Sequence, residues 1–215
     1  MKKIYIYGAG SISRETIKLI NKINDKKKIW QVEAIVCKSI KKKQNIDGIR
    51  IIDEKKIKFK KNSYAICAIS DPIIKGKIFK KLIKNKIKIA TLVCPEMYIY
   101  KDVKIGTGSI VLSGSQIGHT TSVGKNSLIS FGVDIGHNLK IGKNFTILPN
   151  STIGGYVNIG DNVMIGSGSN ILPKLKIGSN SRIGIGSTII KNVKKNMTII
   201  VDQKKIILPR KSVKI

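Results

Sequence analysis

From Ile99 to Ile189 every sixth residue is Ile or Val: Ile99, Ile105, Val111, Ile117, Val123, Ile129, Ile135, Ile141, Ile147, Ile153, Ile159, Ile165, Ile171, Ile177, Ile183 and Ile189. The following residue is often Gly, as at Gly106, Gly118, Gly136 and Gly154. The residue two before is small or apolar, as at Ser109, Thr121, Val133 and Val157. A period of six fits neither an α-helix nor an ordinary strand. It fits a coil of short flat strands, each hexad forming one side of a triangular prism and 18 residues forming one turn. The aliphatic side chain points inward, and the residue two before it packs close to the inside. Corners between sides favour Gly and Asn, for which positive φ costs little. Asn126, Asn138, Asn144, Asn150, Asn162 and Asn180 fall at such corners. Successive coils stack through parallel-strand hydrogen bonds about 4.8 Å apart, and the repeat makes about five of them.

Ahead of the repeat the pattern is different. Residues 4–7 (Ile-Tyr-Ile-Tyr) read as a buried strand, followed by Gly8-Ala9-Gly10. A helix is predicted from Ser11 to about Asn24, with Ile12, Thr16, Leu19, Ile20 and Ile23 at helical spacing and Ser11 as N-cap. This strand, Gly turn and helix predicts a Rossmann-like unit, whose helix N-terminus can hold phosphate. Ser13 stands where the third glycine of that turn would be. Further strands are expected at Val32–Val36, Tyr64–Ile69 and Ile87–Val93, with a helix over Asp71–Asn85. The expected organisation is an α/β Rossmann-like domain over residues 1–95, a parallel β-helix over 96–192 and a C-terminal tail over 193–215.

Composition narrows the function. Among 215 residues there are 41 basic and 12 acidic side chains, a net charge of +29. The excess is Lys rather than Arg and runs through all three segments instead of forming one stripe. Aromatic residues make up only 5%, too few for base stacking, so no nucleic-acid partner is expected. Diffuse positive potential suits an anionic small substrate. The lysine runs Lys26–Lys28 and Lys41–Lys43 read as solvated loops. No apolar run is long enough to span a membrane. The opening residues lack an apolar signal stretch, so a cytoplasmic location is expected. Cys37, Cys67 and Cys94 have neither metal-ligand nor disulfide-framework spacing, and are expected as buried reduced thiols.

The chain has two histidines, His119 and His137. They occupy the same slot of two hexads, one coil apart, which predicts imidazoles on one prism edge about 5 Å apart. No Ser/His/acid arrangement accompanies them. Asp134, the nearest acidic residue in sequence, leaves too few ligands for a metal.

The repeat resembles that of left-handed β-helix acyltransferases over residues 97 to about 192. Joined to a short GAG-turn domain, it is similar over nearly the whole chain to acetyltransferases that modify UDP-4-amino-sugars or sialic acids. The opening segment Tyr7-Gly8-Ala9-Gly10-Ser11-Ile12-Ser13-Arg14-Glu15 carries that resemblance too. The resemblance implies that acetyl-CoA is the acyl donor, that the N-terminal domain binds a nucleotide sugar, and that the protein is a homotrimer with sites between subunits. It implies that His137, in Asp134-Ile135-Gly136-His137-Asn138-Leu139-Lys140-Ile141-Gly142, is the general base, with Asn138 standing where the family carries a carboxylate. It places Gly155 beside the thioester and CoA near Gly184 and Ile185. Gly8, Gly10, Ser11, Ser13, Cys37, Lys38, His119 and Thr146 are the implied substrate-side positions. Cys37-Lys38 replaces an acidic pair, Thr146 a second histidine, Ser130 an asparagine, and Val201-Asp202-Gln203-Lys204 a Gly-x-Pro-Ala segment. The implied activity is N-acetylation of a nucleotide-linked amino sugar for bacterial surface glycans. The alternatives are O-acetylation of a sugar or sialic acid, and a non-catalytic β-solenoid binding protein.

Overall fold

A computed structural model describes residues 1–38 and 45–200. Lys41–Lys43, the Val201–Lys204 segment and most of the expected C-terminal tail lie outside the described residues. The chain opens with β1 (Lys2–Tyr7), α1 (Ser11–Lys26), β2 (Trp30–Cys37), β3 (Asn45–Ile46), β4 (Ile49–Asp53), β5 (Tyr64–Cys67), α2 (Pro72–Lys84) and β6 (Lys88–Ile89). Their sheet runs β3-β4-β2-β1-β5-β6. All pairs are parallel except the β3–β4 hairpin at one edge. Alternation along β1 sorts side chains to opposite faces. Ile4 and Ile6 join the cluster that holds Ile17 and Ile20 of α1. Tyr5 and Tyr7 join the cluster that holds Ile78 and Leu82 of α2. The result is a small α/β unit with a mixed sheet and one helix on each face.

Several expected boundaries move. Residue 10, not Ser11, caps α1, and no side chain bonds the helix start. Asp71 does cap α2, its carboxylate accepting from the Ile73 and Ile74 amides. The hairpin over residues 45–53 had no expectation. The strand expected at Ile87–Val93 divides into β6, on the α/β sheet, and Leu92–Val93, which opens the solenoid. Two proline-free residues at 90 and 91 carry the chain from one sheet to the other, so a single apolar run serves two cores. Cys67 and Cys94 are buried, whereas Cys37 is half-buried. Lys26–Lys28 are exposed.

From Leu92 the chain winds into a parallel β-solenoid with three faces. The first face stacks seven two-residue strands from Leu92–Val93 to Thr198–Ile199. The second stacks five from Gln116–Ile117 to Thr188–Ile189, and the third five from Lys104–Ile105 to Lys176–Ile177. Registers such as Ile117↔Ile135↔Ile153 fix an 18-residue coil. The last turn is shorter, since Ile183 pairs with Ile199. Ile99 keeps the period but belongs to no strand. The aliphatic column forms one continuous core, Val111 through Ile189, with members 0–6% exposed. Each buried Ile contributes roughly 2–3 kcal/mol by removal of its surface from water. Ser109, Thr121, Ser151 and Ser169, two before the aliphatics, are fully buried.

Glycine serves two physical ends here, and only one concerns φ. Corner positions have φ near +60°, including Asn126, Asn138, Asn144, Asn150, Asn162 and Asn180, as expected, and Gly132 and Gly168. The glycines directly after the aliphatics do not share that conformation. They are required by stacking: a Cβ on Gly124 would lie 2.4 Å from the backbone of Gly142 one coil on. Along one edge the corner asparagines form a ladder, each amide donating to the next through Asn126, Asn144, Asn162, Asn180 and Asn196 at 2.8–2.9 Å.

The α/β unit sits on the first face. Ile110, Leu112 and Leu128 share a core with Ile4, Ile6 and Ile35. Lys75 of α2 is fully buried, and its ammonium donates to the Phe145 carbonyl at 2.6 Å and the Thr146 hydroxyl at 2.7 Å. Thr146 in turn donates to the Ser70 carbonyl. Arg182 reaches Asp71 at 2.6 Å beside this contact. Among the described residues no helix is long and apolar enough to cross a membrane.

Burial lowers the Lys75 ammonium from an ordinary 10.5 to about 7, outweighing the pull of Asp71. Between those values the unfolded chain holds a proton that the folded chain has released. Stability therefore rises with pH across that window and is lowest below it. Urea unfolding of wild type and Lys75→Met from about pH 7 to about pH 9.5 is expected to show the wild type gaining on the variant. A difference that stays constant with pH would show that the amine keeps its charge when buried.

Candidate active site

One prism edge differs from the other two. It joins the second face to the third, and its corners are Thr120, Asn138, Tyr156 and Lys174, all with φ between 57° and 63°. The other edges place only Gly and Asn at these positions between residues 108 and 196. A β-branched or bulky side chain at positive φ carries a strain of about 1–3 kcal/mol. Such strain persists where surrounding contacts hold it, and here those contacts involve the two histidines.

His119 and His137 precede Thr120 and Asn138 on this edge. Their rings stack at 5.1 Å between centroids and 8° between planes, as the 18-residue spacing predicts. Tyr100 meets His119 edge-on at 6.4 Å and Tyr156 meets His137 edge-on at 5.1 Å, so the imidazoles sit inside an aromatic column. The His137 Nδ1 lies 2.8 Å from Asn138 Oδ1. An amide oxygen only accepts, so Nδ1 carries the proton and Nε2 keeps its lone pair. Asn138 thus sets tautomer and orientation without placing a charge beside the ring.

His119 is held by a longer chain of bonds. Its Nδ1 is 3.2 Å from Thr120 Oγ1. The Thr120 hydroxyl and amide both lie 2.8 Å from Asp102 Oδ2. The carboxylate accepts both, so the hydroxyl donates to Asp102 and faces His119 as acceptor. The Thr120 hydroxyl bond is the chief reason the Asp102 carboxyl sits below its usual range. His119 is exposed and His137 half-buried.

Gly155 lies one coil beyond His137. A Cβ there would fall 2.8 Å from His137 Nε2 and 2.9 Å from Cε1. The bare backbone gives the ring its seat. Both histidines line a groove of about 570 Å³ along the second face, together with Glu96, Tyr98, Tyr100 and Asp134. Among the described residues no three His, Cys, Asp or Glu side chains converge on a metal site.

The sequence-predicted positions separate into groups. His119, His137, Asn138 and Gly155 come together on this edge. Gly8, Gly10, Ser11 and Ser13 surround the β1–α1 turn, where the Ser13 hydroxyl donates to the Gly8 carbonyl at 2.5 Å. Cys37 ends β2 and Lys38 follows it, lining a smaller pocket with Glu54, Lys77 and Lys81. The groove takes its lining from Cys94 onward, so the β1–α1 turn lies outside it. Gly184 and the 75%-exposed Ile185 lie at the edge between the first and second faces. Thr146 is fully buried, its hydroxyl used by Lys75 and Ser70. It pins the two units together instead of meeting a ligand. Sequence reasoning did not single out Thr120, Asp102 or Tyr100. Thr120 was visible as a corner that is neither Asn nor Gly.

The bacterial transferase hexapeptide (six repeats) matches residues 138–173 and 156–191. No curated protein matches the chain. Among solved structures, PerB from Caulobacter crescentus in complex with CoA and GDP-perosamine aligns with a TM-score of 0.81. It is 19% identical, over 92% of this chain and 93% of that one. The acetyltransferase domain of PglB from Neisseria gonorrhoeae, in complex with acetyl coenzyme A, aligns with a TM-score of 0.81. It is 18% identical, over 92% and 95% of the two chains. WeeI from Acinetobacter baumannii aligns at 0.72, with 20% identity over 94% and 98%. The chain therefore has the fold of these proteins along nearly its full length.

Gly155→Ala adds a methyl group where the His137 ring lies, on a backbone that an Ala can adopt. Unfolding free energy is expected to stay within about 1 kcal/mol of wild type. The His137 ring resonances in an NMR spectrum should move. Unmoved resonances would mean that Gly155 does not seat the ring.

Proposed function

We propose that this protein transfers the acetyl group of acetyl-CoA to the amino group of a nucleotide-linked amino sugar, with His137 as general base. The observation that carries this reading is the His137 Nε2 lone pair, set by the Asn138 bond to Nδ1, in a ring seated against Gly155 and lining a groove of a hexapeptide solenoid. The similarity in fold to structures holding CoA, acetyl-CoA and GDP-perosamine supports both substrates.

In this mechanism the acceptor nitrogen attacks the thioester carbonyl carbon. The C–N bond forms and a tetrahedral oxyanion develops. The Gly155 amide is assigned to that oxyanion. It lies between two ladder donors, the Gly154 amide bonded to the Ile171 carbonyl and the Tyr156 amide bonded to the His137 carbonyl. His137 Nε2 takes a proton from the attacking nitrogen. As the C–S bond breaks, that proton passes to the departing sulfur, leaving an amide and free CoA thiol. No covalent enzyme intermediate is needed.

We assign the β1–α1 turn, with Cys37 and Lys38, to the nucleotide diphosphate. We read the α/β unit as Rossmann-like, since parallel β2, β1 and β5 with a helix on each face present this turn at their carboxyl ends. Gly184 and Ile185 are assigned to CoA, and the winding is taken as left-handed. These groups are separate on one chain, and the second and third faces are left uncovered by the α/β unit. A homotrimer that completes each site between neighbours reconciles the two facts. The location is cytoplasmic, where acetyl-CoA and nucleotide sugars are made, and the product serves bacterial surface glycans.

His137→Ala is expected to lower kcat/KM by about 10²–10⁴-fold, the usual worth of a general base. Thiol release from acetyl-CoA in the presence of UDP- and GDP-linked amino sugars measures it. An unchanged rate would remove His137 from the mechanism. No release with any acceptor would leave a binding protein built on the same solenoid.

A further inference from the structure

The proposed reaction has a proton balance that one base does not close. An amino sugar at neutral pH is largely an ammonium ion, R–NH₃⁺. Its conversion to an amide releases two protons. One ends on the CoA sulfur and the other must leave to solvent. A hydroxyl acceptor would release only one.

The structure holds two imidazoles side by side, in the same tautomer and with different surroundings. Both Nδ1 atoms are tied to an acceptor on the following corner residue, leaving both Nε2 atoms as bases. Position 138 carries no carboxylate; one stands two coils earlier in the same corner column, as Asp102 acting through Thr120 on His119. Of the two rings, His119 is the one backed by negative charge. It is also the exposed one, able to exchange protons with water, while His137 is half-buried against Gly155 and Tyr156.

Resting on the acetyltransferase reading above, we propose that His119 is a second base, which removes the ammonium proton of the acceptor and passes it to solvent before His137 handles the proton that reaches sulfur. Two imidazolium rings 5.1 Å apart would repel each other. The steps are therefore sequential: His119 discharges first, and only then does His137 become charged. Asp102 stabilises His119 while it holds the proton. The groups facing His119 are Asp102 through Thr120, His137 across the stack and Tyr100 at its edge, with Glu96, Asp134 and Cys94 along the same groove. The assignment selects an amine over a hydroxyl as acceptor.

The pH profile of kcat/KM separates this role from a structural one. With His119 present, the wild type accepts the ammonium form, so its rate holds up below the acceptor's own pKa. His119→Gln can use only amine that is already neutral, a fraction that falls about tenfold per pH unit below that pKa. Thiol release from acetyl-CoA with an amine acceptor such as GDP-perosamine is read from about pH 6 to about pH 9. The variant is expected to fall behind by about tenfold or more at the acid end. It should come within about threefold of wild type once the acceptor is neutral, and Asp102→Asn should move in the same direction. His137→Ala should be slow at every pH. A constant ratio of His119→Gln to wild type across the range overturns the two-base assignment alone. Absence of thiol release by the wild type overturns the acetyltransferase reading and the assignment with it.

Discussion

Everything in the solenoid follows from the contact of one coil with the next. Parallel ladder bonds hold corresponding residues of successive coils at strand distance, and the pairing Asp134↔Thr152 beside Ile135↔Ile153 shows how tightly register is kept. At that spacing a Cβ after the aliphatic would meet backbone 2.4–2.9 Å away at Gly106, Gly124 and Gly136. The same constraint turns sequence separation into position. Up to Ile189, whatever lies 18 residues apart is stacked, whether Asn144 on Asn126 or His137 on His119. The histidine pair is therefore a product of the period, and its stacked geometry is one the scaffold imposes on every column.

The first face puts that scaffold to a different use. Its outward positions Ile110, Leu128 and Thr146 are buried, unlike Gln116 and Asp134 on the second face. The α/β unit covers them, and its α2 supplies Lys75 to two solenoid oxygens. Burying an amine there costs stability as long as it is charged. In return the contact is specific, because it requires both a carbonyl and a hydroxyl at one spot on an otherwise apolar face. Thr146 illustrates how a residue can be mistaken for a ligand contact when only its spacing from a histidine is known. Its position is dictated by the neighbour across the face.

The solenoid was legible in the sequence because its period is imposed by backbone stacking, which tolerates few residue types at each slot. The stacked histidines were legible for the same reason. The α/β unit was less so. A central strand in it is apolar on both faces, and apolar runs do not show where a chain changes sheets, so Lys88–Ile89 and Leu92–Val93 merged into one expected strand. The β3–β4 hairpin lies among charged residues with little alternation. The Ser11 cap failed because a serine at a helix start can lie inside the first turn, and only the backbone angles distinguish the two. Asp102 stands 18 residues before Thr120, so the period stacks the two; what the period does not show is that the Thr120 hydroxyl turns to that carboxylate and links it to His119.

Corner chemistry explains why the histidine edge can be told from the others. An Asn or Gly corner settles its own φ at little cost. Thr120 at 57° does not. Its strain is of the order of 1–3 kcal/mol, and a solenoid selected only for stability would replace it. Two bonds to Asp102 offset the strain, one from the backbone amide and one from the hydroxyl. An asparagine there could keep the amide bond, but its carboxamide would not reproduce the hydroxyl that links Asp102 to His119. The threonine is thus the residue that satisfies the corner and the histidine together. The cost it carries marks this edge of the prism as chemically distinct from the other two.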